Sequence, residues 1–410
     1  MIRQNKIVTL ISIFILVLIS NIHAGNHEEE TGKQRLAQIT FISPLGTNGI
    51  HSATTTNNIS LNIFMGVSGG VNGFEFGGFH NTTKGDMKGL QVAGFGNVST
   101  GISSGVQFGG FYNVDLNLTT GVQIAGITNV IHGPSKGAHF GGISNYVTNE
   151  SWAFQASGIA NVTPGGNHGL QVAGISNVNG QEGEGSQIAG IANVNYGKTS
   201  KFQAAGVINV AANGMNGAQI SGILNYTKKL SGFQLALINY ADTLDKGVPL
   251  GLVSIVKNGY YAFELEANDA FWINATYKMG VPKLYNIWTV GFKQENGNQM
   301  WGVGLGLGSI LPVGKKWGLN FDLTATHVNE NEWWTEELNL LNRLKFNAWF
   351  DLGPFQIFGG PSLNVHVSNL KDNEGNPGGN LIDPELSLIN ETNGNTRTLV
   401  YPGFNFGIRF

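Results

Sequence analysis

The sequence predicts an all-β protein in two parts: a parallel β-solenoid of 16-residue repeats, then a C-terminal outer-membrane-type antiparallel β-barrel of about eight strands. Three observations predict it. A phrase reading Gly-x-Gln-apolar-Ala/Gly-Gly-apolar-x-Asn-Val/Tyr returns from residue 89 to residue 241. From about residue 259 the pattern changes to plain apolar/polar alternation over long runs. The composition, 60 Gly, no Cys and 12% charged residues among 410, lies far from ordinary globular usage and suits repetitive β structure.

Residues 1–24 read as a secretory signal peptide, with Arg3 and Lys6 before a weakly polar to apolar run over 7–20 and Ala24 at the expected cleavage point. A membrane anchor is disfavoured because that run is shorter than the roughly 20 residues a spanning helix needs. Residues 25–58 form a polar segment and cap, followed by the repeat solenoid over 59–256 and the barrel over 257–410. Strand-like runs at 38–42 and 59–65 precede a degenerate first repeat, in which Glu75 and Asn81 occupy the Gln and Asn columns.

The Gln column holds Gln91, Gln107, Gln123, Gln155, Gln171, Gln187, Gln203 and Gln219, with His139 taking one place and Gln234 arriving one residue early. The Asn column holds Asn97, Asn113, Asn129, Asn145, Asn161, Asn177, Asn193, Asn209 and Asn225, and resumes at Asn239. In a meander, alternate turns sit at opposite ends and should differ every second unit, whereas the turns here do not alternate. In a parallel solenoid each unit is one coil and like residues stack about 4.8 Å apart, so a fixed step is what the geometry requires. Both columns are then amide ladders, each side chain bonding to its copies above and below. Val122, Ile124, Ile127 and Val130 are assigned to a thin continuous core, with a bend at Gly126. Sixteen residues enclose no wide cavity, so any ligand would meet a flat outer face. The alternative, one large closed barrel with the repeats as membrane strands, is weakened because neither face of a repeat is free of Gln or Asn.

Eight alternating runs make up the remainder: 260–267, 271–279, 286–293, 300–310, 317–328, 340–352, 355–368 and 400–410. Trp317, Leu319, Phe321 and Leu323 take one face, and Asn320, Asp322 and Thr324 the other. Aromatic residues cluster near strand ends. The chain closes on Phe404, Phe406, Ile408 and Phe410, which resembles the assembly signal of bacterial outer-membrane barrels. The long connections at 329–339 and 369–399 fall at one end and the tight Gly353-Pro354 link at the other. With short turns facing the periplasm, the repeats are expected to hang beneath the membrane, since a narrow bore is filled by side chains.

The phrase Gly-x-Gln-x-Ala-Gly-x-x-Asn-Val, with Gly247-Val-Pro-Leu-Gly-Leu-Val-Ser254, Lys257-Asn-Gly-Tyr260 and Leu284-Tyr-Asn-Ile287, resembles a family of mostly uncharacterised bacterial surface-repeat proteins over roughly residues 59–310. The resemblance implies an exported envelope protein of a Gram-negative-type bacterium, exposed at the surface. It brings no catalytic residues.

No nucleophile elbow, phosphate loop or zinc-protease motif is present. His327 and His366 share the barrel with Asp322 and Asp351, but lone histidines on strands are usually structural. Glu330, Glu332, Glu336 and Glu337 beside Trp333 and Trp334 read as a solvated loop with interfacial tryptophans. A net charge of -3 without a polybasic tract argues against nucleic acid. The expected function is a non-enzymatic outer-membrane or envelope protein without cofactor or metal, partnered by the outer membrane and its barrel-assembly machinery. The alternative is a surface adhesin or recognition module using the repeat face or the long loops.

Overall fold

The computed structural model describes residues 32–181, 183–199, 201–295 and 297–410; the expected signal peptide lies outside the described residues. The chain folds as a parallel β-solenoid of about 12 turns and a separate nine-stranded antiparallel sheet at the C-terminus. Each solenoid coil contributes two short strands, such as Thr119–Ala125 and Thr128–Ile131. Each strand pairs only with its copies one coil away, so Gln123 lies between Gln107 and His139, and Asn129 between Asn113 and Asn145. Every neighbour is parallel, which excludes the large-barrel alternative for the repeats. Stacking also begins earlier in the chain, where Lys33–Ile42 pairs in parallel with Thr55–Ser68.

The corner between the two strands explains the repeated glycine. A Cβ at Gly126 would meet the carbonyl oxygen of Gly110, and one at Gly142 that of Gly126. Only glycine lets successive corners stack this closely.

The sequence reading placed the apolar columns inside; the structure reverses it. Thr119, Gln123, Ala125, Asn129 and Ile131 are buried, whereas Val122, Ile124, Ile127 and Val130 lie on the outer surface and are only half-buried. Successive residues of a strand point to opposite faces, so placing Gln123 inward sends Val122 and Ile124 outward. In the regular repeats from residue 87 onward the outward faces of both strands are therefore free of Gln and Asn, contrary to expectation.

In the C-terminal sheet, Ile389–Asn393 pairs only with the final strand, Thr396–Arg409. The other strands form a closed ring, because Tyr260–Asn268 pairs antiparallel with Thr396–Arg409. The ring follows chain order through Ile273–Val281, Leu284–Glu295, Asn298–Pro312, Trp317–Glu330, Asn339–Asp351 and Gln356–Ser368. Short links at residues 282–283, 313–316 and 352–355 lie at the end where the chain terminates, and the long connections at 331–338 and 369–388 lie at the opposite rim.

Candidate functional site

Two surfaces carry the chemistry of this molecule, the interior of the solenoid with its amide columns and the two-faced barrel wall. In the solenoid the Asn column is one unbroken chain of hydrogen bonds. Each Nδ2 donates forward to the Oδ1 of the next coil at 2.8–3.0 Å, from Asn62 through Asn81, Asn97, Asn113, Asn129, Asn145, Asn161, Asn177, Asn193, Asn209 and Asn225 to Asn239. The same Nδ2 donates to the backbone carbonyl just before the corner of the next coil, as Asn113 does to Ile124 and Asn161 to Val172. The short Asn side chain thus satisfies both its own copy and a backbone carbonyl at the turning strand.

The Gln column runs the opposite way. Nε2 donates backward to the preceding Oε1 at 2.6–3.1 Å in Gln107, Gln123, Gln171, Gln187, Gln203, Gln219 and Gln234. At the N-terminal end Gln91 donates to the buried Glu75 carboxylate. The column breaks at His139, which is fully buried with neither ring nitrogen hydrogen-bonded, leaving the Oε1 of Gln123 without a partner. Burial lowers the His139 pKa to about 4, so the ring is neutral at pH 7.

One buried ionisable group in this region escaped the sequence reading. Asp115 is fully buried and accepts from Gln107 at 3.0 Å, Gln123 at 2.8 Å and Thr119 at 2.8 Å. Burial raises its pKa to about 6, against the lowering effect of these hydrogen bonds. Its column, Ser99, Asp115, Ile131, Val147 and Thr163, has no fixed chemistry, so the period gave it no signal.

The barrel wall is apolar outward and charged inward. Phe321, Leu323, Phe346, Phe404 and Phe406 are exposed on its outside. Inside, Lys278 Nζ lies 2.7 Å from Asp322 and 2.8 Å from Glu264, whose carboxylate also receives Arg409 Nε at 2.6 Å. Glu266 meets Lys345 at 2.6 Å, and Arg343 reaches Asp269 at 2.9 Å. Acids and bases balance, and Tyr285 and Asn320 bond to Asp322 as well. Gly302, Gly304, Gly306 and Gly308 face inward and make room for this network; a Cβ at Gly308 would strike both Tyr285 and Asp322. At the rim with the long connections, Phe271, Met300, Val328, Leu341, Leu399 and Tyr401 make a buried apolar cluster with Ile382 from the last long connection.

The terminal residues Phe404, Phe406, Ile408 and Phe410 lie on or beyond the closing strand, with Ile408 paired to Leu265 and Ile357. The histidines do not meet a catalytic partner. His327 Nε2 lies 3.0 Å from the Thr335 carbonyl and its ring stacks on Trp334, while His366 Nε2 lies 2.6 Å from Asn339 Oδ1. Asp322 is held by Lys278, and Asp351 accepts from the Gly353 backbone. Trp301, Trp333 and Trp334 gather beside the acidic loop at the long-connection rim. Among the described residues no group of three or more His, Cys, Asp and Glu is placed to hold a metal ion.

The solenoid meets the barrel on its wall. Tyr285 and Ile287 are buried within the ring, so Asn286 between them points outward, and its Nδ2 donates to the Gly251 carbonyl of the last coil. Leu250, Gly251 and Leu252 line one depression together with Leu305, Leu307 and Leu323 of the wall. Compared with protein-family models, curated proteins and solved structures, the chain matches none.

Proposed function

We propose that this chain is an envelope protein of the bacterial outer membrane, anchored by its barrel and carrying the solenoid as a structural array without catalytic activity. The observation that carries the reading is the two-faced closed ring, apolar outside with a balanced Lys278, Glu264, Asp322 and Arg409 network inside. In water such a wall exposes a continuous hydrocarbon band while burying charges at several kcal/mol each. In a bilayer the same arrangement is the stable one, because closure pairs every strand edge and the charges pair within. The bore is filled, so the barrel acts as an anchor rather than a pore. The exported start, the terminal Phe404 to Phe410 pattern and the likeness to bacterial surface-repeat proteins support the outer membrane and its assembly machinery as partners.

The test is the electrophoretic behaviour of the full chain folded in detergent. A barrel anchor is expected to stay folded in dodecyl sulfate at room temperature, migrating differently before and after boiling, and to fractionate with outer membranes. Extraction of the chain from membranes by alkaline carbonate overturns the anchor. Protease treatment of intact cells fixes the side of the repeats: loss of repeat fragments makes them surface-exposed and favours the adhesin reading.

A further inference from the structure

The outer surface of the solenoid poses a problem that its role as an array leaves open. At the position of Ile127, just past the corner glycine, the chain places Phe79, Phe111, Ile143, Ile175, Ile191 and Ile223, each 38–49% exposed although stacked on its copies. The adjacent column, the position of Ile124, is apolar from Phe76 to Leu250. Neither column contains a hydrogen-bonding or charged side chain over these coils. Exposed charged residues such as Lys84, Glu150 and Lys198 sit in the turns at the opposite edge, and Lys136 lies at the start of its strand next to that edge.

Twelve coils spaced about 4.8 Å apart make a continuous apolar ridge on the order of 55 Å long, and contiguous apolar surface on a soluble monomer is usually limited to roughly a few hundred Å². A protein partner is normally fixed by hydrogen bonds and a polar rim. The two columns of the ridge offer no hydrogen bond, and the adjoining Thr128 and Ser144 hydroxyls bond to each other. Hydrocarbon requires neither hydrogen bonds nor a polar rim, and the solenoid already satisfies its own polar groups internally through the two ladders.

We infer that the ridge is a lipid-contacting surface, so that the solenoid lies with its glycine corner in the same bilayer that holds the barrel. The inference rests on the barrel being membrane-embedded. Three observations join the two surfaces. The last coil packs against the outer wall of the barrel from its short-link end upward, through Val256 and Val281 and through Asn286 and Gly251. The ridge residues of that coil, Leu250 and Leu252, share a depression with Leu305, Leu307 and Leu323, which lie in the middle stretches of their strands. At the last coil the barrel supplies donors to the open backbone edge, Asn286 to the Gly251 carbonyl and Tyr261 to that of Val256, as a membrane environment favours for unpaired backbone groups.

The chain has no cysteine, so single sites can carry a nitroxide label without background. Full-length Ile175→Cys and Ile143→Cys, with Phe321→Cys on the barrel wall and Lys136→Cys at the charged edge, are folded into phosphatidylcholine vesicles. Collision of each label with oxygen and with a water-soluble nickel chelate is then measured. Labels at 175 and 143 are expected to match 321, with a several-fold excess of oxygen over nickel collisions, and 136 to show the reverse. A lipid-facing 321 with water-accessible labels at 175 and 143 overturns the inference and leaves the barrel anchor intact. Spin–spin broadening at 175 that vanishes on dilution with unlabelled chain shows a second copy on the ridge and overturns it equally. A water-accessible 321 removes the barrel reading itself. Both ridge positions are half-exposed, so cysteine there should fold; circular dichroism of each variant checks this.

Discussion

Two residues in the solenoid core, His139 and Asp115, have opposing titrations. His139 has its folded pKa lowered to about 4 by burial, so the fold holds it neutral. Its stability contribution is complete above the unfolded value near 6.5 and is lost as pH falls toward 4, amounting to about 3 kcal/mol. Asp115 works the other way. Its folded pKa is raised to about 6, so its contribution is complete below the unfolded value of 3.8 and is lost as pH rises through 6. His139→Gln should rejoin the ladder between Gln123 and Gln155, gaining about 1 kcal/mol per new hydrogen bond, and should reduce the solenoid's loss of stability between pH 6.5 and pH 4, leaving the gain from Asp115 opposed by His80, whose pKa burial also lowers. Asp115→Asn should remove a buried charge that costs up to about 3 kcal/mol at pH 7, a gain offset in part because its amide nitrogen cannot accept from Gln107 or Gln123 as the carboxylate does, and leave the acid sensitivity of His139 exposed. Solenoid unfolding monitored by circular dichroism at pH 4, 5.5 and 7 checks both. Identical pH profiles for the two variants would show that neither group sets the response.

A single coil cannot bury its own polar groups, so the ladder is the element that holds the array. Asn161 accepts from Asn145 at 2.8 Å and donates to Asn177 at 2.9 Å and to the Val172 carbonyl at 2.8 Å. Asn161→Leu strips partners from groups on both sides, at about 1–3 kcal/mol for each left unsatisfied. Because repeat stacks depend on nearest neighbours, hydrogen exchange should rise between residues 145 and 177 while barrel amides keep their protection. Uniform loss of protection across both parts would contradict a locally coupled stack. The sixteen-residue step of Asn145, Asn161 and Asn177 made this stacking legible in the sequence, because parallel register requires a fixed period. The period does not say which way the columns face. The usual rule of apolar inside sends Val122 and Ile124 inward, and the structure turns them out because each amide column completes its hydrogen bonds with its own copies inside. The barrel was legible strand by strand, as at 317–328, because alternation with one apolar face is a period of two written plainly. The strand Ile389–Asn393 was not, since it is short, exposed and paired on one side only.

For the whole molecule, the junction decides whether the solenoid and barrel behave as one body. A parallel stack has open backbone edges only at its two ends. The first is covered by residues 33–54, whose Gln38 and Asn48 bond to each other and to Asn57 of the following strand, and the last meets the barrel wall at Asn286. Tyr261 adds a hydrogen bond from its hydroxyl to the Val256 carbonyl at 2.8 Å, and Val256 and Val281 pack in one buried cluster with Ala241. Asn286→Leu keeps the size of the side chain but removes the donor to Gly251, leaving that carbonyl unsatisfied at a cost of about 1–3 kcal/mol. The barrel should be indifferent, because Leu on its outer wall matches Leu307 across the sheet. The expected outcome is therefore one-sided: faster hydrogen exchange at residues 248–256, spreading backward coil by coil, with the heat-modifiable mobility of the barrel unchanged. If the barrel loosens as well, Asn286 holds the ring rather than the joint. If exchange at 248–256 is unaltered, the coil is held by the apolar contacts of Leu250 and Leu252 alone, and the amide is incidental to the docking.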